Sequence, residues 1–300
     1  MIPLELPAGV LAMTARGDDW SAWVAALPGT FRGVLEEWQL TLDGPLNHGY
    51  CSMVAPVRTA SGRPAVLKVG FPDRESEHEA LALQHWHGNG AVQLLRADPH
   101  RRAMLLERLH EETLSELWDL EACEVVGERY ARLHIPAPPQ PRRLSAELGR
   151  WQGQLQALPR NAPIPRRMVE QCLAITRDLV DDPVTDGVLL HGDLHYDNVL
   201  AADREPWLVI DPKPLSGDPH FEPAPMLWNR WDEVVGSGDV RNAVRRRFHT
   251  IVDAAGLDED RARDWAVLRV VLNAVWELEE RTPDPTGITR SITIAKAVQE

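Results

Sequence analysis

HGDLHYDNVL, residues 191–200, sets His191, Asp193, His195, Asp197 and Asn198 between two short apolar stretches, VLL at 188–190 and VLAA at 199–202. A polar loop pinned between strands is where catalytic groups are often placed, because the flanking pairing holds them still. Taken singly, each residue has an ordinary explanation: Asp and Asn cap turns, and His satisfies nearby backbone groups. The combination argues for more. Asp193 and Asn198 stand five apart, and thirteen residues after Asn198 the apolar stretch WLVI (207–210) ends in Asp211. An Asn amide oxygen and an Asp carboxylate are hard oxygen donors, of the kind a divalent cation takes in small number when phosphates supply the rest.

The five-residue spacing is that of the catalytic loop of kinases, where the Asp orients or deprotonates the attacking hydroxyl and the Asn binds a metal ion. On this reading Asp193 is the catalytic base and Asn198 and Asp211 are the metal ligands. His191 and Asp197 either brace the loop or take part directly. The rival chemistry makes His191, Asp193, His195 and Asp197 the ligands of a metallohydrolase. It needs further ligands, and the other nine histidines form no HxxxH or Cys-flanked pattern.

A kinase also needs a strand lysine for the α- and β-phosphates and a helix glutamate to orient it. Residues 41–109 read strand, strand, helix, strand, strand. CSMVAPVRT and PAVLKVG flank a Ser61-Gly62 turn, a helix begins at Pro72-Asp73 and stops at Gly88–Gly90, and AVQLLRA and AMLLERL (103–109) follow. Lys68 lies in the second strand, where an ammonium among apolar neighbours requires a partner. Glu79, ahead of Leu81, Leu83 and Trp86, is the expected one, with Glu75 and Glu77 as alternates. The stretch GPLNHGYCSMV (44–54) has Gly44 and Gly49 for close backbone approach to phosphate and Ser52 as a hydroxyl donor. The end of the fourth strand, Glu107 and Leu109, is placed to meet the adenine.

Ahead of this unit, apolar spacing from Asp18 to Leu40 predicts two short helices interrupted at Pro28-Gly29. Beyond residue 109 the pattern turns helical: Thr113–His134, then, after the stiff connector IPAPPQP (135–141), about 142–157 and 165–181, and from 212 to the end. The expected division is therefore a nucleotide-binding unit over 1–109, with a helical arm over 1–40, and a helical catalytic and substrate-binding unit over 110–300.

The 300 residues, 44% hydrophobic and 26% charged, describe a globular chain. No apolar run approaches the ~18 residues of a membrane span, and the start lacks a secretory signal, so the expected compartment is the cytoplasm. Three scattered cysteines exclude a disulfide framework and a cysteine zinc site. With 32 basic against 45 acidic side chains the formal charge is −13, which argues against nucleic acid; the negative field would suit a cationic small molecule, but acidity for solubility alone is the more ordinary explanation. Most of the 11 tryptophans are expected in the core.

LLHGDLHYDNVL (189–200) and WLVIDPKPLSGDPHFEPAPMLWN (207–229) resemble the aminoglycoside phosphotransferases, in particular their streptomycin 6-phosphotransferase and hydroxyurea kinase branch. The segment from Glu79 through GAVQLL (90–95) looks like the same branch, so the likeness covers about 40–281. The resemblance implies an α+β, protein-kinase-like, two-lobed fold with a small antiparallel-sheet lobe carrying one main helix and a larger, mostly helical lobe. It implies transfer of the γ-phosphate of ATP, or of GTP, with Mg²⁺, to a hydroxyl of a small molecule such as streptomycin, with hydroxyurea or another metabolite as the alternative. Position by position it gives Asp193 as base, Asn198 and Asp211 as Mg²⁺ ligands, and Lys68 with Glu79 as the phosphate-positioning pair. HGD stands for HRD and IDP for DFG, and no APE segment follows, which disfavours protein substrates. Asp197, Asp218, Glu233 and Glu277, the last on a late helix with Trp276 and Glu280, are the acidic candidates for a cationic acceptor. No partner subunit is needed to complete such a site, so a monomer is expected.

Overall fold

The computed structural model describes residues 4–280 and 282–299; residues 1–3 of the expected arm lie outside them. The chain divides into two compact units, Met1–His110 and Glu111–Glu300. Its strands are β1 (Thr41–Leu42), β2 (Asn47–His48), β3 (Ser52–Arg58), β4 (Pro64–Gly70), β5 (Leu94–Asp98), β6 (Ala103–Glu107), β7 (Arg142–Arg143), β8 (Val188–Leu190), β9 (Val199–Ala201), β10 (Trp207–Val209) and β11 (Leu215–Gly217). The α-helices are α1 (Ala8–Ala12), α2 (Asp18–Glu37), α3 (Glu79–Trp86), α4 (Asp119–Leu133), α5 (Leu144–Ala157), α6 (Arg166–Val180), α7 (Ala224–Trp228), α8 (Trp231–Gly236), α9 (Val240–Ala255), α10 (Glu259–Glu279) and α11 (Pro285–Ala297). None among the described residues is long and apolar enough to cross a membrane.

In the first unit an antiparallel sheet runs β1-β3-β4-β6-β5, with β2 also paired to β3. Met53, Ala55, Val57, Ala65, Leu67, Val69, Ala103 and Leu105 form one core with Val24, Leu27, Phe31, Val34 and Trp38 of the opening helices. Lys68 falls out of step with Ala65, Leu67 and Val69 and so emerges on the other face of the sheet. Two expectations need correction. The opening is one 20-residue helix with Pro28 inside it, not two helices. An internal Pro costs ~3 kcal/mol, yet Val24, Leu27, Phe31 and Val34 straddle Pro28 on a single buried stripe that a break would pull out of the core. And α3 starts at Glu79, because the Asp73 carboxylate instead accepts the amides of Glu75 and Ser76, both at 2.7 Å, to close a turn.

In the second unit the middle of α10 is buried on all sides, Trp265 to Leu272 together with Ala262, Ala274 and Val275, with Arg269 the one charged residue among them, as befits a helix enclosed by others. α5, α6, α9 and α11 pack about the same core. The strand β11 within the expected helical region was not anticipated. It pairs antiparallel with β8 and parallel with β7, while β9 and β10 form a separate hairpin. Trp38, Trp86, Trp151 and Trp265 are buried, and Trp20, Trp23, Trp228, Trp231 and Trp276 are partly buried against the two cores, so most of the tryptophans serve the core. Trp20 is stacked at 3.7 Å on Phe71.

Candidate active site

In the first unit Lys68 Nζ lies 2.6 Å from Glu79 Oε1, with both side chains under a tenth exposed. The alternates Glu75 and Glu77 are exposed. Ser52 is buried at the start of β3, and its carbonyl accepts the Gly49 amide at 3.0 Å to close the turn between β2 and β3. Gly44, at φ +158°, packs so closely on Pro56 that a Cβ would come within 2.7 Å of it. The Glu107 amide donates to Gln93 O and its carboxylate accepts from Gln93 N, so both groups are engaged within the unit. Arg108, next to Leu109, is tied back to Asp43 and to the carbonyls of Val57 and Ala65.

In the second unit the 191–198 loop runs from β8 to β9 and is stitched to the segment leaving β10. His191 O accepts from Lys213 N at 2.7 Å, Asn198 O accepts from Ile210 N at 2.9 Å, and His191 Nε2 donates to Ile210 O at 2.9 Å. The other ring nitrogen, Nδ1, accepts the Asp193 amide at 3.3 Å. This fixes one neutral tautomer, and burial lowers the imidazole pKa to match. His191 is thus a brace, and these bonds bring the Asp193 and Asp211 segments together around it. Asp211 takes a left-handed backbone at φ +55°, uncommon for a residue other than Gly. Its carboxylate lies 3.5 Å from Lys213 Nζ.

Asn198 is buried and donates through Nδ2 to Asp193 O at 2.8 Å, which turns its amide oxygen away from the Asp193 backbone. Among the described residues nothing donates a hydrogen bond to the Asp193 carboxylate, which is partly exposed. One amide oxygen and one carboxylate suit Mg²⁺ completed by phosphates and water. They do not make a metallohydrolase centre. No group of three or more His, Cys, Asp and Glu among the described residues could hold a metal ion, both nitrogens of His191 are occupied, and His195 Nδ1 accepts the Asp197 amide.

Beneath the loop lies a residue that sequence reasoning missed. Glu222 is fully buried and accepts the amides of His191 at 2.5 Å and Gly192 at 3.2 Å. Arg269, on α10, donates to Gly192 O at 2.5 Å and to Phe221 O at 3.3 Å. A carboxylate inside the apolar, Pro-bounded run FEPAPM (221–226) was the available signal, since such a charge is buried only with donors to meet it. Gly192 itself sits at φ +81°, and a Cβ there would come within 2.2 Å of Lys213 O. Gly192→Ala is therefore expected to cost at least ~1–3 kcal/mol and to displace Asp193. An unchanged melting temperature with unchanged kcat would show that the backbone there is not constrained.

The acidic candidates for an acceptor fare differently. Asp218 is corrected: it is 1% exposed and its carboxylate is consumed by His220 Nδ1 at 2.6 Å, Arg261 Nε at 2.6 Å and Trp265 Nε1 at 2.7 Å. It ties the start of α10 to the 218–221 turn. Glu233 forms a two-pronged ion pair with Arg230, and Glu277 accepts the Asp284 amide at 2.7 Å. Asp197 is exposed and accepts Ser115 Oγ at 2.7 Å, which leaves its second oxygen toward solvent.

A strand lysine paired to a helix glutamate, together with an Asp–Asn loop stitched to a second Asp, defines a kinase of the protein-kinase-like α+β fold. The profile of the aminoglycoside/hydroxyurea antibiotic resistance kinases matches residues 37–281, and the chain belongs to that family. It is an ATP-dependent phosphotransferase. It is similar to a streptomycin 6-kinase of Streptomyces glaucescens, 40% identical over 95% of each chain. It is likewise similar to a hydroxyurea phosphotransferase of Kitasatospora aureofaciens, 40% identical over 92% of this chain and 81% of that one. Among solved structures, a thermostable mutant of an aminoglycoside phosphotransferase, in ternary complex with ADP and hygromycin B, superposes with a TM-score of 0.57. It covers 89% of this chain and 97% of its own at 16% identity, a likeness of fold.

Proposed function

We propose that the chain phosphorylates a hydroxyl of an aminoglycoside, streptomycin foremost, and so inactivates it. The supporting observation is the 40% identity to a streptomycin 6-kinase over 95% of both chains. A second reading, hydroxyurea as acceptor, is favoured by the equally identical hydroxyurea phosphotransferase, which matches over a smaller share of its own length. The formal charge of −13 accords with a cationic acceptor and against nucleic acid. We take ATP as the donor, with GTP the alternative, and the chain as a cytoplasmic monomer.

In this mechanism Asp193 accepts the proton of the acceptor hydroxyl as its oxygen bonds to the γ-phosphorus. The bond from that phosphorus to the bridging oxygen breaks, and ADP departs with the electron pair. Lys68, held by Glu79, neutralises the α- and β-phosphates. Ser52 and the backbone of residues 44–54 approach the phosphates, and the backbone at Glu107 and Leu109 meets the adenine. Asn198 and Asp211 would hold Mg²⁺, which would supply charge neutralisation at the phosphates. Asn198 has a second task, since its amide hydrogen bond to Asp193 O keeps the base in position. Residues 1–109 thus act as the nucleotide-binding unit and 110–300 as the catalytic and acceptor-binding unit. Of the acidic candidates, Asp197 is exposed and gives one carboxylate oxygen to Ser115, which leaves the other for the acceptor.

The test is ADP release from ATP and Mg²⁺ with streptomycin, other aminoglycosides and hydroxyurea, with product mass read in parallel. Turnover on streptomycin with a phosphorylated product supports the first reading, and turnover on hydroxyurea alone supports the second. ATP binding without turnover on any of them would remove both acceptors.

A further inference from the structure

We propose that the amino-terminal helices hold the nucleotide loop in its binding conformation, and that Arg16 is the positioning residue through which they do so. The inference rests on the reading of residues 44–54 as the loop that meets the phosphates. β2 and β3 pair Asn47 with Val54 and His48 with Met53, and the Gly49 amide on Ser52 O closes a turn whose tip is Tyr50-Cys51. Tyr50 is 78% exposed, so the unit's core gives this tip no support. Support comes from elsewhere. Arg16 Nη1 donates to Tyr50 O at 2.7 Å, while its guanidinium lies 4.1 Å from the Tyr50 ring centroid and 4.7 Å from that of Trp20.

Two further contacts converge on the same few residues. Trp20 stacks on Phe71, whose amide donates to Cys51 O at 2.7 Å, so both carbonyls of the tip are held. Gly9 lies against His48 so closely that a Cβ would come within 1.9 Å of the imidazole Nε2. The far end of this strut is rigid, since α2 is anchored through Val24, Leu27, Phe31 and Val34 in the core shared with the sheet. A glycine-containing hairpin samples many conformations, and ATP affinity falls in proportion to the fraction of time spent in the competent one. The arm raises that fraction. Arg16 acts where a side chain of the arm bonds the backbone that must lie along the phosphates.

The experiment compares full-length wild type, Arg16→Ala, Arg16→Lys and the hairpin control Gly49→Ala, whose Cβ would come 2.9 Å from Ser52 Oγ. Read for each are the ATP dissociation constant, kcat, KM for the acceptor and the melting temperature. Arg16→Ala is expected to weaken ATP ~10-fold, and Arg16→Lys, which keeps a donor for Tyr50 O, to recover to within ~3-fold of wild type. Acceptor KM and melting temperature should hardly move, because Arg16 is an exposed residue. Unchanged ATP affinity in Arg16→Ala beside a weakened Gly49→Ala overturns the strut and leaves the loop assignment standing. Unchanged affinity in both removes residues 44–54 from the nucleotide site and takes the strut with it. A lowered melting temperature with acceptor KM and ATP affinity equally impaired assigns Arg16 to folding alone and also overturns the proposal.

Discussion

Asp193→Asn is expected to lower kcat by about 10²–10⁴-fold, the usual contribution of a positioned base, while ATP binds as before. The physical ground is the isolation of this carboxylate. Its backbone is fixed on both sides, by the amide bond to His191 Nδ1 and by the Asn198 bond to its carbonyl, and yet no described residue donates to its side chain. No hydrogen bond among the described residues depends on this partly exposed carboxylate, which suits it to act on a substrate rather than to stabilise the fold. Asparagine preserves shape and backbone contacts, so the variant should keep the wild-type melting temperature. Single-turnover phosphoryl transfer and ATP titration calorimetry measure the two effects separately. A kcat within tenfold of wild type would show that the phosphates take the hydroxyl proton and that Asp193 only orients the acceptor.

The parts of the site that were legible in the sequence are those whose geometry is local. Asp193 and Asn198 share one short loop between strands. Lys68 and Glu79 needed only the inference that an ammonium on an apolar strand must meet a carboxylate on the next helix, and they lie 2.6 Å apart. The β3–β4 hairpin was legible from alternation and a Gly turn. What was not legible depends on distant partners. LSG at 215–217 is too short to show alternation and becomes β11 only because β7 and β8 are there to pair with it. Pro28 was read as a breaker because the reward for continuing the helix is paid on a sheet formed by residues 52 to 105. Asp218 was expected to face an acceptor because its sequence neighbours say nothing of Arg261 and Trp265, more than forty positions on. Single carboxylates are ambiguous in this way, and only their donors decide between fold and function.

Glu222 is the sharpest instance, and its removal is expected to cost the most stability. Glu222→Ala leaves two amides of the catalytic loop without an acceptor and strips the buried Arg269 and the neighbouring His134 of their counter-charge. Breaking a buried charge set by deleting one member costs ~3–5 kcal/mol. Glu222→Gln keeps an acceptor for the amides and loses only the charge, so it should be milder and should separate the two contributions through pH. Burial alone would raise the carboxyl pKa, but His134, 3.8 Å from Oε1, with Arg269, outweighs it and holds the pKa below its ordinary value of 4.5. As pH falls past that value the unfolded chain takes up the proton first. The stabilisation from the charge is therefore complete above about pH 4.5 and is lost as pH falls toward the folded-state pKa, at up to ~1.4 kcal/mol per pH unit. Urea unfolding from neutral to acid pH should show the gap between wild type and Glu222→Gln constant at first, then closing below about pH 4.5. A gap that stays constant throughout would mean that Glu222 is buried protonated and holds the His191 and Gly192 amides as a neutral acceptor.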